Sequence, residues 1–485
     1  MNDIHDIPQE VYDIYQKLED AGHEAYFVGG CVRDLINQKE PHDWDIATSA
    51  RPDDILEVFP DSVYENNFGT VGVKTENEQF PIVEVTTYRT ESTYSDFRRP
   101  DEIVFADTIE EDLSRRDFTM NAIAARIERD TIVFKDPYKG KEDLAQSILR
   151  CVGDAEERFK EDALRMMRAV RFAAQLDVQI EKKTQEALIQ HAPLLSHIAK
   201  ERIRDEFVKI ILSDKAAWGV EALRVYKLLE HIIPELLEGV GVGQNKHHIY
   251  TVWEHNLRAL DYTAQKKYSF PIRFGALLHD VGKPRTKDGE GENSTFYNHE
   301  VVGAKMAREI MKRLGFSKKD TQHVTHLVRH HLFYYNVGEV SEAGVRRFLS
   351  RVGEEYIDDL MKIREADRIG SGVPKAVPYK LRHLRFMVDK VRRDPLSPKM
   401  LAIDGSDLIK EGISPSPRMG MILAILLEDV LDDPSCNTKE YLLKKTKELA
   451  MLSDTELVKK EEKAQEKKNE WEKGIEKEMR KKYNV

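Results

Sequence analysis

Cysteine is scarce in this chain: Cys31, Cys151 and Cys436 are the three among 485 residues. So few scattered thiols exclude a disulfide framework and an all-cysteine zinc site, and they favour a reducing, cytoplasmic compartment. No apolar run approaches the roughly 18 residues of a membrane span, and the N-terminus lacks a basic and apolar leader. Basic residues are also outnumbered, and the net charge of −11 disfavours a nucleic-acid partner unless a local basic patch exists.

The composition, 41% hydrophobic and 33% charged, is that of a globular chain long enough for two to four domains. From about residue 25 to 140, short β-rich runs alternate with helical stretches, which predicts a small α/β domain. From 141 to about 450 the apolar spacing predicts helix after helix. From Glu456 onward lysine and glutamate alternate, which predicts a solvated helix with frayed ends.

Two aspartates, Asp43 and Asp45, alternate with the apolar residues Trp44 and Ile46. On a strand both carboxylates therefore face one way, and a divalent cation, most naturally Mg²⁺, relieves their repulsion. Glu84 alternates in the same way and is predicted to bring a third carboxylate from a neighbouring strand. The alternative is that Asp-x-Asp forms a turn or a surface pair.

Just upstream, Gly29 and Gly30 allow the backbone to approach phosphates closely and to present its N–H groups to them. Arg33 adds a forked donor that suits phosphate oxygens. With the carboxylates, these residues predict a site for a metal ion and a triphosphate.

The segment Phe27-Val-Gly-Gly-Cys-Val-Arg-Asp34 with Asp43-Trp-Asp45 resembles the nucleotidyltransferase motif of the class II CCA-adding and bacterial poly(A) polymerase family, within the polymerase-β superfamily. Further blocks that resemble the family follow in order: Tyr88-Arg-Thr-Glu91, Ser114 to Ala122, Asp136-Pro137, Arg158 to Arg168 and Glu201 to Glu206. One departure is Leu35-Ile-Asn-Gln38, where the family usually has a Leu-Leu-Gly-like turn. Asn37 is the residue there that best tolerates left-handed backbone geometry.

The segment Glu161-Asp-Ala-Leu-Arg165 places Asp162 and Arg165 three residues apart, which on one helix makes them neighbours. An acceptor beside a forked donor matches the pairing edges of cytosine and adenine, and it leaves unpaired groups against guanine and uracil. The alternative is an ordinary helix salt bridge. The family resemblance assigns base selection to these two positions.

Other roles follow from the resemblance alone. It implies that Arg116, Asp117 and Asn121 help to hold ribose and triphosphate, and that Arg168 also contacts the nucleotide. The polar segment Glu91 to Pro100 resembles the family's flexible loop, which enzymes that add only the two C residues are said to lack. The segment Asn66 to Val73 resembles the CCA-adding type rather than the basic segment of poly(A) polymerases.

A second constellation of histidines and aspartates lies far downstream, and its order resembles the HD phosphohydrolase pattern. The predicted core ligands of a transition metal or Mg²⁺ are His255, His279, Asp280 and Asp367. His299, His330 and His331 are predicted to bind a second metal or phosphate, and Lys283 a substrate phosphate. The alternative for any single histidine is a surface or capping role.

The sequence thus predicts an α+β chain, with a small polymerase-β-like nucleotidyltransferase head followed by an all-helical neck, body and HD domain. The predicted divisions are a head over 1–140, a neck over 141–225, an HD domain over 226–375 and a helical C-terminal region over 376–485. The expected partners are tRNA, CTP and ATP, with no DNA and no membrane. The resemblance implies addition of C, C and A to tRNA 3′ ends from CTP and ATP, without a nucleic-acid template and by a two-metal mechanism, with a second, phosphohydrolase activity in the HD domain. The rival functions are a poly(A) polymerase, an A-adding enzyme of the same family, and a noncatalytic RNA-binding or nucleotide-sensing protein.

Overall fold

The computed structural model describes residues 7–64, 69–91, 103–129, 131–245, 249–333, 335–338, 340–372 and 379–464. The chain forms two compact units, Met1–Pro234 and Glu235–Val485. Within the described ranges, every helix is too short or too polar to cross a bilayer. The predicted division into a head, a neck, an HD domain and a helical C-terminal region stays a prediction.

The first unit begins with a seven-stranded mixed sheet. The strands of the chain are β1 (Ala25–Val28), β2 (Asp45–Thr48), β3 (Val63–Tyr64), β4 (Thr70–Lys74), β5 (Ile82–Thr87), β6 (Arg89–Glu91), β7 (Ile103–Phe105), β8 (Ala124–Glu128), β9 (Thr131–Lys135), β10 (Ile148–Leu149) and β11 (Gln179–Ile180). The order across the main sheet is β3-β4-β5-β2-β1-β8-β9. The two-stranded pairs β6–β7 and β10–β11 stand apart from it.

Two strands at the middle of this sheet carry the predicted carboxylates. β2 runs antiparallel to β1, with Val28 opposite Asp45, and parallel to β5, with Asp45 opposite Glu84. Trp44 and Ile46 are buried, as the alternation predicts for residues that face the core. The middle of the sheet therefore presents acidic side chains on one face and packs its other face.

Helices cover the sheet and make up most of the remainder of the first unit. They are α1 (Gln9–Asp20), α2 (Gly30–Ile36), α3 (Pro52–Val58), α4 (Ile109–Ser114), α5 (Gly140–Ala145), α6 (Ala155–Glu161), α7 (Leu164–Leu176), α8 (Lys182–His191), α9 (Lys200–Leu212) and α10 (Ala216–Val225). The strands β10 and β11 form a short parallel pair beyond residue 140, where the sequence predicts helices alone. Two residues per strand are too few for a visible alternation.

The turn after α2 differs from the sequence interpretation in one detail. The left-handed residue is Gln38, with φ of +55°, whereas Asn37 has φ of −82°. Asn37 therefore does not use its tolerance of left-handed geometry, and the residue after it takes that conformation.

The described residues of the second unit form helices joined by loops, with one isolated β-bridge between Asp288 and Thr295. Its helices are α11 (Val252–Gln265), α12 (Phe270–Leu278), α13 (Lys283–Thr286), α14 (His299–Arg313), α15 (Lys318–His330), α16 (Glu342–Val352), α17 (Glu354–Gly370), α18 (Tyr379–Val391), α19 (Gly405–Lys410), α20 (Pro417–Asp432) and α21 (Lys439–Ala450). A further helix occupies 454–464 and buries Leu457 in the core. The predicted charged helix thus begins with one anchored residue, and its continuation lies outside the described residues.

Candidate active sites

The carboxylates of Asp43, Asp45 and Glu84 converge on one face of the sheet. Asp43 lies just before β2, and Asp45 is the register partner of Glu84 on β5. Burial and the charges of Asp43 and Glu84 together raise the pKa of Asp45 to about 7, against the opposing charge of Arg116. Three mutually repelling carboxylates beside one cation are a ligand set suited to a divalent cation with a preference for oxygen.

The two glycines lie directly against these carboxylates. A Cβ at Gly29, which has φ of +77°, would stand 3.3 Å from both Asp45 Oδ2 and Arg116 Nη1. A Cβ at Gly30 would stand 3.5 Å from Asp43 Oδ1 and 3.7 Å from Arg33 Nη2. Glycine therefore keeps this surface open, and at position 29 it also permits a backbone conformation that other residues rarely adopt.

Four of the predicted nucleotide-binding residues form one hydrogen-bonded chain. Arg33 Nη1 donates to Asn121 Oδ1 at 3.1 Å, and Asn121 Nδ2 donates to Asp117 Oδ1 at 3.3 Å. Arg168 Nε donates to Asp117 Oδ2 at 2.7 Å. Burial alone would raise the pKa of Asp117, but Arg168 outweighs burial and holds it below the ordinary value. The chain joins α2, the turn of Thr119–Asn121 and α7 beside the carboxylates.

The second unit brings two groups of metal-type ligands together at a single carboxylate. His255, His279 and Asp367 form one group, and Asp280, His299 and His331 form the other. Asp280 Oδ2 lies 3.2 Å from His255 Nε2 and 3.3 Å from His279 Nε2. Its other oxygen, Oδ1, lies 3.3 Å from His299 Nε2 and 3.7 Å from His331 Nε2. Asp280 thus faces both groups, as a bridging ligand does in a two-metal centre.

Backbone carbonyls orient three of these imidazoles. The Nδ1 atoms of His279, His299 and His331 each lie 2.7 Å from the carbonyl oxygen three residues earlier. If Nδ1 carries the proton and donates it to the carbonyl, Nε2 is left with a free lone pair that points into the centre. The Nε2 atoms of His299 and His331 are buried and have no hydrogen-bond partner among the described residues. A buried, orphaned acceptor on an oriented imidazole fits a metal ion.

The pKa shifts of Asp280 and His331 agree with that fit. The shift of His279 differs: burial lowers its pKa, but Asp280 and Asp367 outweigh burial and raise it to about 10. Burial alone would raise the pKa of Asp280, but His279 and Lys283 outweigh burial and hold it well below its usual range. Burial, with the charges of His279 and His299, holds the pKa of His331 well below its ordinary value. Asp280 is therefore ionised and His331 neutral, which are the protonation states that bind metals. Lys283 is buried, and its Nζ lies 2.6 Å from Asp280 Oδ2 and 2.7 Å from Gln244 Oε1.

His330 does not join either group, so its prediction as a metal ligand is wrong. Successive residues on a helix point about 100° apart. At the end of α15 this geometry directs His331 to the centre and leaves His330 on the other side, with its ring centroid 4.5 Å from that of His326. Burial, His326 and two neighbouring arginines lower the pKa of His330 to about 3.

Known proteins match the chain over most of its length. Residues 25–150 match the description "Poly A polymerase head domain", 177–239 "Probable RNA and SrmB- binding site of polymerase A", and 252–371 "HD domain". A CCA-adding enzyme of Lactobacillus delbrueckii subsp. bulgaricus is 34% identical over 88% of this chain and 94% of its own. One of Leuconostoc mesenteroides is 43% identical over 67% of this chain and 83% of its own. The chain belongs to the CCA-adding enzyme family.

The solved structures agree with this membership of the CCA-adding enzyme family. The Bacillus stearothermophilus CCA-adding enzyme, solved with CTP, has a TM-score of 0.64 and 28% identity, and the match covers 90% of this chain and 97% of that one. A CCA-adding enzyme in an apo form has a TM-score of 0.61 at 19% identity, which shows the shared fold. The predicted polymerase-β-like head with a helical remainder is confirmed.

The two residues predicted to read the base, Asp162 and Arg165, do not lie on one helix, so that part of the prediction is wrong. Helix α6 ends at Glu161, and Asp162 has extended backbone angles. The Asp162 carboxylate accepts from the Leu164 N–H at 2.9 Å and from Arg202 Nη2 at 3.0 Å. Arg165 instead donates to the Glu161 carboxylate and to the Arg115 carbonyl. Each of the two residues therefore has its own partners, and the break between α6 and α7 separates them.

One buried carboxylate near the head site, Asp112, is not among the residues predicted from the sequence. Asp112 is 1% exposed, and its two oxygens accept from Arg115 at 2.8 Å and from Arg116 at 3.0 Å. Burial alone would raise the pKa of Asp112, but the two guanidinium groups hold it below its ordinary value. Asp112 orients Arg116 beside Asp45. The signal in the sequence is the spacing of three and four residues between Asp112 and the two arginines, which follow the last residue of α4.

Replacement of Asp112 by alanine is expected to destabilise the protein by about 3 kcal/mol, because it leaves two guanidinium groups without their buried partner. Urea unfolding monitored by circular dichroism measures this change. Asp107→Ala, at a position whose side chain is 93% exposed, is the matched control and should change stability little. Equal stability of the two variants would contradict the structural role given to Asp112.

Two sequence predictions fall on residues that the structure leaves undescribed. Positions 92–100 of the predicted loop and positions 66–68 of the Asn66 to Val73 segment lie outside the described residues. The interpretation of these segments as features of the CCA-adding type stays a prediction.

Proposed function

We propose that this chain adds C, C and A to tRNA 3′ ends, from CTP and ATP and without a nucleic-acid template. The observation that carries the proposal is the convergence of three carboxylates and Arg116 on two glycines, in a member of the CCA-adding enzyme family. The names of its relatives and of the solved complexes with CTP, ATP and tRNA support the same substrates.

In this proposal Asp43 and Asp45, with Glu84 as a weaker third ligand, would hold two Mg²⁺ ions. The bound Mg²⁺ supplies a Lewis acid that activates the tRNA 3′-hydroxyl and neutralises the pyrophosphate. Gly29 and Gly30 let the backbone approach the triphosphate, and Arg33 and Arg116 donate to its oxygens.

The hydrogen-bonded chain behind Arg33 has a positioning role in this proposal. Asn121 and Asp117 fix the Arg33 guanidinium from one side, and Arg168 fixes Asp117 from the other. A donor held in place before the nucleotide binds loses little side-chain entropy on binding. The ribose and triphosphate thus meet a preorganised surface.

Base selection by Asp162 and Arg165 requires a change of partners. A cytosine or adenine amine has to share the Asp162 carboxylate with Arg202, and Arg165 has to exchange Glu161 for a ring nitrogen. A base of the wrong pattern leaves these groups unpaired, which costs about 1–3 kcal/mol. Selection therefore arises because only the correct base gives Asp162 and Arg165 new hydrogen-bond partners when it binds.

We expect Asp162→Ala to lower the preference for CTP over UTP by at least about tenfold, since it removes the acceptor for the cytosine amine. The measurement is kcat/KM for each nucleotide on tRNA that ends before CCA. Asp205→Ala, an exposed aspartate on α9, is the matched control. An unchanged CTP to UTP ratio in Asp162→Ala would contradict the base-reading role.

The decisive experiment supplies tRNA transcripts that end before CCA, after C and after CC with Mg²⁺ and with CTP, ATP or both. Products are resolved to single nucleotides. Termination at CCA is the expected result. Long A tails would place the chain with poly(A) polymerases, addition of A alone with A-adding enzymes, and no addition with RNA-binding proteins.

A second proposed activity is metal-dependent phosphoester hydrolysis by the HD centre. The orphaned Nε2 atoms of His299 and His331, and the closeness of Asp280 to histidines of both ligand groups, support it. A bound divalent metal supplies an activated water there. The proposed substrates are 2′,3′-cyclic phosphates and 2′-phosphates at RNA ends.

A further inference from the structure

Helices α14 and α15 form a hairpin with a groove of about 850 Å³ along its surface. Its charged lining consists of Lys305, Arg308, Lys312, Lys318 and Arg329. No described carboxylate lines the groove. The chain has a net charge of −11, so the five cations give this groove a local charge opposite in sign to that of the whole chain.

Four of these five cations have no described acidic partner. Arg329 forms an ion pair with Glu300 at 3.3 Å. Lys305, Arg308, Lys312 and Lys318 make no ion pair within 4.0 Å with any described carboxylate, although surface ion pairs are frequent elsewhere in this unit. Unpaired cations that face one another across a groove repel, and a bound anion relieves that repulsion.

Two buried polar atoms in the groove lining also lack a partner. Thr325 is 6% exposed, and its Oγ1 has no hydrogen bond to any described residue. The Nε2 of His326 is buried and equally without a described partner. Buried hydroxyl and imidazole groups normally find partners, so these two atoms point to a ligand with hydrogen-bonding oxygens.

The spacing of the cations selects a chain of phosphates over a single one. Lys305, Arg308 and Lys312 stand three and four residues apart, so they form one row on α14. The row is about 10 Å long, which is the axial length of about three successive phosphates in one strand of a duplex. A single phosphate would engage one or two of these cations and leave the others unpaired.

We propose that this groove binds the phosphate backbone of RNA. The choice of RNA among polyanions rests on the proposed function, which makes RNA the substrate of this chain. The groove lies outside residues 177–239, the segment that matches a probable RNA-binding description. Helix α15 forms one wall of the groove with His326, and the next residue after this helix, His331, belongs to the metal-type cluster. RNA in the groove therefore lies along the helix that ends one residue before His331 of the metal-type cluster.

The test uses the full chain and tRNA that lacks CCA, with affinity measured by fluorescence anisotropy from about 50 to about 300 mM salt. The groove variant is Lys305→Gln with Arg308→Gln and Lys312→Gln, three exposed positions. The matched control removes three exposed lysines elsewhere in the same unit: Lys287→Gln, Lys399→Gln and Lys444→Gln. Melting temperatures of both variants verify that they fold.

We expect the groove variant to bind tRNA about tenfold or more weakly, and its slope of log affinity against log salt to fall by about two, since each lost phosphate contact removes about 0.7–0.9. The control should retain the wild-type slope. A second groove variant, Arg308→Gln with Lys318→Gln, samples both helices and should show a smaller change in the same direction.

Equal tRNA affinity and slope in the groove variant and its control would overturn the proposal. So would a loss of binding to phosphatidylserine vesicles with tRNA binding unchanged, which would assign the groove to a membrane surface. Wild-type protein that adds no nucleotides while the groove variant loses tRNA affinity would refute the proposed function and support the groove. Normal CCA addition by the wild type, with equal tRNA affinity in the groove variant and its control, would support the proposed function and refute the groove proposal.

Discussion

Replacement of Asp45 by asparagine is expected to reduce nucleotide addition by roughly 10³-fold or more, because it removes the central carboxylate of the proposed Mg²⁺ site. Asp45 lies against Gly29, and the charges of both Asp43 and Glu84 act on its carboxylate. The measurement is single-turnover addition of C to tRNA that ends before CCA. Asp61→Asn, an exposed aspartate of the same unit, is the control and should retain activity.

The same substitution should stabilise the metal-free protein. Asp45 is held among carboxylates that repel it, and the neutral amide of asparagine removes that repulsion. We expect a gain of about 1 kcal/mol in EDTA, which corresponds to about 2–4 °C in melting temperature for a unit of this size. Mg²⁺ should raise the melting temperature of the wild type and leave Asp45→Asn unchanged. A variant that keeps its activity, or one that is destabilised in EDTA, would contradict the site.

The carboxylates were predictable because the period of a strand is two. Asp43, Trp44, Asp45 and Ile46 alternate in polarity, and a pleated strand turns that alternation into two faces regardless of its neighbours. The pairing of Asp45 with Glu84 was not predictable in register. It depends on β5 reaching β2 from a distant segment of the chain.

Inferences from helical spacing failed where the helix itself ended. Asp162 and Arg165 are neighbours only if one helix contains both, but the chain is extended at Asp162. A hydrogen bond from the Leu164 N–H to the Asp162 carboxylate helps to begin α7, as aspartates do at helix starts. Aspartate is favoured at helix starts, so the residue type at position 162 indicates a helix boundary there. The spacing between Asp162 and Arg165 does not reveal that boundary.

At the HD centre the sequence predicts the cluster of ligands but not which of two adjacent histidines belongs to it. The ordered set of histidines and aspartates predicts a metal centre, and six of the seven predicted residues meet in it. The sequence cannot distinguish His330 from His331, because two adjacent histidines are equally suitable as ligands when only the residue type is known. Their directions on α15 decide between them, and the groove that His330 lines is invisible to a search for metal ligands.

Replacement of Asp280 by asparagine is expected to abolish metal-dependent hydrolysis of 2′,3′-cyclic AMP, by roughly 10³-fold or more, because one carboxylate serves both ligand groups. The assay compares wild type and variant after loading with Mn²⁺, Co²⁺, Ni²⁺ or Mg²⁺. CCA addition should be unchanged, since the proposed addition site lies in the other unit. Asp288→Asn, an exposed aspartate nearby in sequence, is the control.

Measuring the metal content distinguishes a variant that has lost its metal centre from one that has misfolded. Asp280→Asn also leaves the buried Lys283 without its carboxylate, so a second variant, His299→Gln, keeps that ion pair and alters one ligand group. By inductively coupled plasma mass spectrometry we expect about two metals per wild-type chain, about one in His299→Gln and fewer in Asp280→Asn. Equal metal content in all three proteins would refute the bridging role of Asp280. Wild-type protein that binds two metals and hydrolyses neither 2′,3′-cyclic AMP nor 2′-AMP would refute the proposed hydrolysis and leave a structural metal centre, because the orphaned imidazoles require a ligand whether or not water attacks a phosphate there.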